Sequence, residues 1–524
     1  MRASVCASLL ALVATSISPA RAKDQGSGSD APSAPTSGDD EDDAAAGSAT
    51  RLAPPKDPRA RDAWLVERLA AALAAHPKLG RARVAVAVTD LATGKELWSH
   101  EADKGMNLAS NAKLLTSVAA LATLGSGFRW HTAVYAVGLD DRTGKVDGDL
   151  YIRGKGDPTL SVADLRALAA DVAARGVRQV EGRLVIDASY FDNQIEPPHY
   201  EEQKSERAGF RAPIASFGVA RSAVEVVVVA EPGGKDARVR LDPEAGDYIR
   251  LTKHEVKSVA AGRSRIAVET KLVPGHIDIE VTGQIRAVDG SYELRRRVED
   301  PARFAAEVFR RLLADQGVRV KEKAIGSGPV PGAAKLVAQH DSAPLAHVLR
   351  EMNKLSDNFV AETVLKTLGA ETRGTPGPAT WADGTRAVQT YLATIGLPAG
   401  AYRADNGSGL FGASEVSAHQ VVTLLGAAHA DYRVGPDLLA SLPVGGVDGT
   451  LARRWIGHPA KGRVRAKTGT LDKVITLAGY LAVSSAHPLA FAILVGDIPA
   501  GERGQARAMA DEMIDAMAAY LLGH

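Results

Sequence analysis

The only cysteine in the chain, Cys6, lies in a segment that the mature protein is expected to lose. Arg2 forms a short basic region, SLLALVATSI an apolar run, and Ala20-Arg21-Ala22 fits an A-x-A cleavage site. The run is too short for a permanent membrane span. Residues 1–22 therefore read as a cleavable export signal, with the mature chain in the periplasm or cell envelope. Cys6 comes too early, before the apolar run, for lipid attachment. A mature chain without cysteine has no disulfides, no thiol catalysis and no Cys-ligated metal, so its fold must rest on packed apolar cores. Hydrophobic residues at 45% suffice for large cores, but aromatics are only 5%, leaving Ala and Val to fill them. At 524 residues two or three domains are expected. Lys+Arg 63 against Asp+Glu 62 creates no field that would draw nucleic acid or an anionic membrane.

Residues 23–57 begin KDQGSGSDAPSAPTSGDDEDDAAAGSAT, poor in apolar residues and rich in Ser, Gly, Pro and acid. Such a composition cannot offset ordering entropy and reads as a disordered tether. From Pro58 the chain reads as globular. DAWLVERLAAALAAH has helical periodicity, and RVAVAVTDLATGKELWSH reads as two strands joined at a Thr-Gly turn. Next comes NLASNAKLLTS, where Leu114, Leu115, Val118, Leu121 and Leu124 recur at helical spacing and Gly125 is a plausible stop. Ser110 falls at that helix start, with Lys113 one turn on along the same side.

A serine hydroxyl is a weak nucleophile until a neighbouring base takes its proton, and a desolvated lysine can be that base. A helix start adds unpaired N–H groups suited to a developing oxyanion. Taken alone, S-x-x-K reads far more readily as an N-cap beside a solvated charge, since such short patterns recur by chance. Ser356-Asp357-Asn358, between two helical runs in PLAHVLREMNKLSDNFVAETVLKTLG, is alone a turn or cap. Lys467-Thr468-Gly469-Thr470, in the strand-rich RVRAKTGTLDKVITLAGYLAV, is alone a bulge or turn.

S-x-x-K, S-D-N and K-T-G in this order form the motif set of the penicillin-recognising serine enzymes. Lys113 and Ser356 are 243 residues apart, more than a compact β-lactamase would place there. With GDLYIRGKGDPTL, VRQVEGRLVIDASYFD, the DNGSGL run from Asp405 and LPVGGVDGTL, the chain after the tether resembles peptidase family S13. These are the D-alanyl-D-alanine carboxypeptidase/endopeptidases similar to penicillin-binding protein 4. The resemblance implies an α/β (α+β) transpeptidase fold of the penicillin-binding-protein/serine β-lactamase type. Residues 58–128 and 331–524 would form the catalytic domain, and 129–223 with 294–330 an inserted second domain. A nested β-rich domain would span 224–293, where VEVVVVAEPGG, SRIAVETKLVPG and HIDIEVTGQ alternate as strands do.

The resemblance also implies roles. Ser110 would attack the scissile carbonyl and Lys113 accept its proton. Ser356 would relay a proton to the leaving amine, and Asn358 would hold Lys113 and the substrate amide. Lys467 would supply positive charge, with Thr468, Gly469 and Thr470 binding the substrate and the N–H groups of Ser110 and Thr470 forming the oxyanion hole. Peptidoglycan stem peptides are the implied substrates and β-lactams the implied inhibitors; no cofactor or metal is called for, and a homodimer is compatible. Many relatives continue Gly-Ser-Gly-Leu with Ser-Arg, where this chain has Phe411-Gly412. Asp472 stands where some have Gln, and Ala220 where they have an acid, so a different diamino-acid side-chain preference is expected.

Two other patterns compete. Gly407 to Gly412 satisfies G-x-G-x-x-G, but no strand precedes it. His254-Glu255 opens like H-E-x-x-H but closes on Ser258, leaving no complete zinc motif among thirteen histidines. A serine β-lactamase or a non-catalytic wall-binding scaffold on the same fold stays open at this point.

Overall fold

The structure is a computed structural model that describes residues 53–203, 205–484 and 486–523. The export signal, and the tether up to residue 52, lie outside the described residues.

A five-stranded antiparallel sheet joins the two ends of the globular chain. Its order is Glu96–His100, Arg83–Asp90, Leu489–Gly496, Val474–Leu481, Val464–Leu471. The predicted N-terminal hairpin thus meets the C-terminal strands where Val86 stands opposite Ile493. Because successive strand residues face opposite ways, RVAVAVTD divides cleanly. Val84, Val86 and Val88 enter one core, and Ala85 and Ala87 the other. On the valine side lie the helices Pro58–Ala74 and Arg503–Leu522, which contribute Leu65, Leu69, Met509, Met513 and Met517. On the alanine side, where small side chains leave room, lie the helices Ala112–Leu124, Leu345–Leu355, Asn358–Thr372 and Ala418–Ala430. Each fully buried Leu, Val or Met side chain contributes about 1.5–3 kcal/mol. The strands Val474–Leu481 and Leu489–Gly496 are buried along their whole length.

Between Leu124 and Leu345 the chain builds separate sheets. Ile325–Ser327, Leu184–Asp187, Leu150–Gly154, His131–Ala136 and Lys335–Asp341 form one, with helices Val162–Ala174 and Pro301–Asp315 packed into the same core through Leu165, Leu168, Phe304 and Phe309. Six further strands, between Ala223 and Arg297, form two three-stranded sheets. Two details differ from the sequence-based division. Lys335–Asp341, assigned above to the catalytic region beginning at 331, pairs antiparallel with His131–Ala136 in the inserted sheet. Ser291–Arg297 runs unbroken through 293, paired with Ala223–Val229. Alternation marks a strand but does not name its partner, which register and the far segment decide.

Candidate active site

Ser110 sits in the single turn Ala109–Asn111 that leads into helix Ala112–Leu124. Ala109 holds φ +46°, a left-handed backbone in a residue with a Cβ, strain of about 1–3 kcal/mol that neighbours must sustain. They do so from three sides. Asn107 Oδ1 accepts the Ala109 N–H at 2.8 Å, and Ser414 Oγ accepts the Leu108 N–H at 3.0 Å. Thr476 Oγ accepts from Asn111 Nδ2 at 2.6 Å and donates to the Leu108 carbonyl at 2.8 Å. Gly409, at φ +74°, lies directly beneath: a Cβ there would stand 1.9 Å from the Ala109 carbonyl oxygen.

Lys113, wholly buried, points back along the helix so that Nζ lies 3.0 Å from Ser110 Oγ. It donates to Asn358 Oδ1 at 2.7 Å and to the Ser408 carbonyl at 2.9 Å. Burial pushes its pKa down to about 7, against the opposing pull of Glu362 and Asp357. An amine that has lost its proton keeps two N–H donors and one lone pair. The amide oxygen of Asn358 and the carbonyl of Ser408, which can only accept, take the two donors. The lone pair is left for the Ser110 hydroxyl, the arrangement of a general base.

Helix Leu345–Leu355 ends in left-handed Ser356 (φ +57°), and Asp357 caps the next helix by accepting the Val360 N–H at 3.0 Å. That break brings Ser356 and Asn358 to the same place. Lys467, wholly buried on the edge strand Val464–Leu471, donates to Ser356 Oγ at 2.8 Å and to the Thr468 carbonyl at 2.8 Å. Burial, then the neighbouring Lys113 charge, hold its pKa well below the ordinary lysine value. Thr468 Oγ donates to Thr450 Oγ at 2.8 Å. Gly469 lets the strand touch the serine turn, since a Cβ there would meet Thr476 Oγ at 2.1 Å and the Leu108 carbonyl at 2.7 Å. Thr470, half-buried, follows it on the same strand. Three segments thus supply two adjacent hydrogen-bonded groups, Ser110–Lys113–Asn358 and Ser356–Lys467, with Ser356 and Asn358 brought together by the same loop.

Residues 65–520 match the D-Ala-D-Ala carboxypeptidase 3 (S13) family. The chain belongs to this S13 peptidase family. It is 36% identical over 462 residues to the D-alanyl-D-alanine carboxypeptidase of Actinomadura sp. (strain R39), covering 86% of this chain and 83% of that one. Identity to D-alanyl-D-alanine carboxypeptidase DacB of Haemophilus influenzae is 26% over 401 residues, 75% of this chain and 81% of that one. The crystal structure of penicillin binding protein 4 from Haemophilus influenzae matches with a TM-score of 0.71 at 22% identity, covering 86% of this chain and 98% of that one, a likeness of fold. This S13 chain is a serine D,D-peptidase, a hydrolase acting on peptidoglycan. Its fold is of the penicillin-binding, transpeptidase type.

Several residues that build the S13 site are absent from the motif reading. Glu362, wholly buried, accepts the N–H groups of Gly407 at 3.0 Å and Ser408 at 2.8 Å, and Trp381 Nε1 at 3.1 Å. The G-x-G-x-x-G run is therefore a packing loop that presents the Ser408 carbonyl to Lys113. The signal was available: Asn358, Glu362 and Lys366 recur every fourth residue on a helix that is otherwise mostly apolar or threonine. Thr476 and the Phe210 carbonyl, which accepts from Asn358 Nδ2 at 3.2 Å, carried no local signal. Of the three departures, Gly412 donates its N–H to Glu202 at 3.3 Å, and Asp472 is exposed in the turn after Leu471. Ala220 precedes Arg221, whose guanidinium pairs with Asp357.

Proposed function

We propose that Ser110 is the nucleophile of this D,D-peptidase and Lys113 its base. The observation that carries this is the trio of contacts on Lys113 Nζ, two to obligate acceptors and one to Ser110 Oγ. Ser110 Oγ attacks the carbonyl of the penultimate D-alanine while Lys113 takes its proton. The N–H groups of Ser110 and Thr470 receive the developing oxyanion, where loss of one donor costs about 3 kcal/mol. The proton taken up by Lys113 goes on to the departing amine, with Ser356, hydrogen-bonded to Lys467, as the relay that gives one proton and receives another. Water then cleaves the acyl-enzyme and restores Ser110. Asn358 orients Lys113 and the substrate amide. Thr468, Gly469 and Thr470 hold the substrate end, and Lys467 supplies positive charge beside the arriving carboxylate.

Terminal D-alanine release and cleavage of D-alanyl crosslinks both fit this chemistry. β-Lactams present a strained amide to the same serine and act as slow-leaving substrates. One relative structure, from Haemophilus influenzae, is a penicillin binding protein 4 complexed with a β-lactam. The reading places the enzyme outside the cytoplasm, after removal of residues 1–22, and with Ala220, Gly412 and Asp472 at the three departures it expects a looser or different peptide preference. Among the described residues no helix is long and apolar enough to cross a membrane.

Intact-mass spectrometry of the mature protein with benzylpenicillin tests the assignment. A one-to-one adduct on wild type, absent from Ser110→Ala, is expected, followed by D-alanine release from a stem pentapeptide. An adduct that survives in Ser110→Ala overturns it.

A further inference from the structure

The loop Ser356-Asp357-Asn358 holds two groups of the site, yet its central residue faces away from them. Asp357 divides its carboxylate: one oxygen caps helix Asn358–Thr372 through the Val360 N–H, and the other lies 2.9 Å from Arg221 Nη1. Arg221 spans onward, donating through Nη2 to Glu351 Oε2 at 2.8 Å on the preceding helix. It therefore bridges the helix before the loop and the residue at its centre. Arg221 comes from the inserted region, at a turn where Ala220, Arg221 and Ser222 all hold positive φ, +51°, +57° and +51°. Three consecutive side-chain-bearing residues in this conformation persist only where surroundings hold them. Arg295 contributes by donating to the Ala220 carbonyl at 2.7 Å. The same inserted region accepts the other end of Asn358, at the Phe210 carbonyl.

We propose that Arg221 is a positioning residue for the hydrolytic reaction: it fixes the Ser356-Asp357-Asn358 loop through Asp357, and so sets the placement of Ser356 and Asn358 and the charge that Lys113 faces. The proposal rests on Ser110 and Lys113 acting as nucleophile and base. Its electrostatic part has a definite sign. The charged or titratable groups around Lys113 are Asp357 and Glu362 at the helix Asn358–Thr372 and Lys467 on the edge strand. From the inserted region, Arg221 pairs with Asp357, Arg295 interacts with Asp357, and Tyr200 interacts with Glu362. Asp357 favours the ammonium form of Lys113. With Arg221 removed, that carboxylate keeps only Arg295 and the Val360 N–H to offset it, and Lys113 holds its proton to higher pH.

The test is the second-order rate of acylation by a fluorescent penicillin, measured against pH on the full mature protein. Arg221→Gln is expected to lower the rate roughly threefold to tenfold at pH 6, shift the rising limb to higher pH and leave a plateau below that of wild type. Arg221→Lys, which keeps the charge, returns the limb toward its wild-type position. In an Asp357→Asn background, adding Arg221→Gln produces no further shift. A wild-type profile in Arg221→Gln overturns the proposal, whatever its melting temperature, as does an equal shift in the Asp357→Asn background. If Arg221→Gln does not fold, Arg221→Lys decides: a limb near its wild-type position with a lowered plateau upholds the bridging role, and a plateau equal to wild type overturns it. Failure of wild type to acquire an adduct on Ser110 would instead sink the underlying assignment.

Discussion

Glu362 reaches Lys113 through the backbone of Ser408: its carboxylate accepts the Ser408 N–H at 2.8 Å, and the carbonyl of Ser408 accepts from Lys113 Nζ at 2.9 Å. One buried acid thus shapes the loop that receives the lysine and also biases the lysine's charge. Glu362→Gln preserves the outline but offers one acceptor oxygen where two N–H groups and Trp381 converge. It should destabilise the protein by about 1–3 kcal/mol, read from denaturant midpoints. Since Glu362 favours the ammonium of Lys113, its loss should move the acylation limb to lower pH, opposite to Arg221→Gln. A limb displaced upward would contradict the electrostatic reading.

With Lys113 held at about 7, the unprotonated fraction limits attack below that value. Acylation by benzylpenicillin should rise about tenfold per pH unit between about pH 5 and 6.5 and level off above about pH 8. A rate still climbing steeply near pH 10 would mean that Lys113 titrates as an ordinary lysine and is no base at neutral pH.

Gly409→Ala would put a methyl carbon 1.9 Å from the Ala109 carbonyl oxygen and 2.7 Å from Ala112 Cβ, at φ +74°. The serine turn must move or the loop must refold. Both routes displace Ser110 from Lys113. A loss of roughly 100-fold or more in acylation rate is expected, with about 2–4 kcal/mol of destabilisation. Near-normal kinetics would show that the turn tolerates a shift the geometry forbids.

Thr476→Val keeps shape but removes the hydroxyl that accepts from Asn111 and donates to Leu108. Two buried polar groups lose a partner, costing about 2–4 kcal/mol. Because those bonds brace the strained Ala109 turn, acylation should fall as well. Loss of stability with an unchanged rate would make Thr476 a packing residue only.

The elements that sequence patterning marks most clearly are those whose periodicity is local. The hairpin from Arg83 to His100, the helix after Ser110 and the break at Ser356 all lie where spacing and turn chemistry place them. Ser110, Lys113, Ser356, Asn358 and Lys467 were legible because each belongs to a short motif in a recognisable order. What was not legible is held by long-range contact: Glu362 under the Ser408 loop, Thr476 across from Asn111, and Phe210 and Arg221 reaching in from the insertion. A buried glutamate on an apolar helix announces that it needs partners without saying where they are. The partner of Lys335–Asp341 was hidden for the same reason, since strand alternation is blind to its neighbour.

The pairing of Arg83–Asp90 with Leu489–Gly496 has a consequence in time. During synthesis the serine turn emerges well before the strands on which it rests, Val464–Leu471 and Val474–Leu481. Until they dock, Gly469 and Thr476 do not brace Ala109, and Lys467 does not meet Ser356. A growing or truncated chain is therefore a hydrolase without a working centre. The enzyme's arming is tied to strands made more than three hundred residues after its serine.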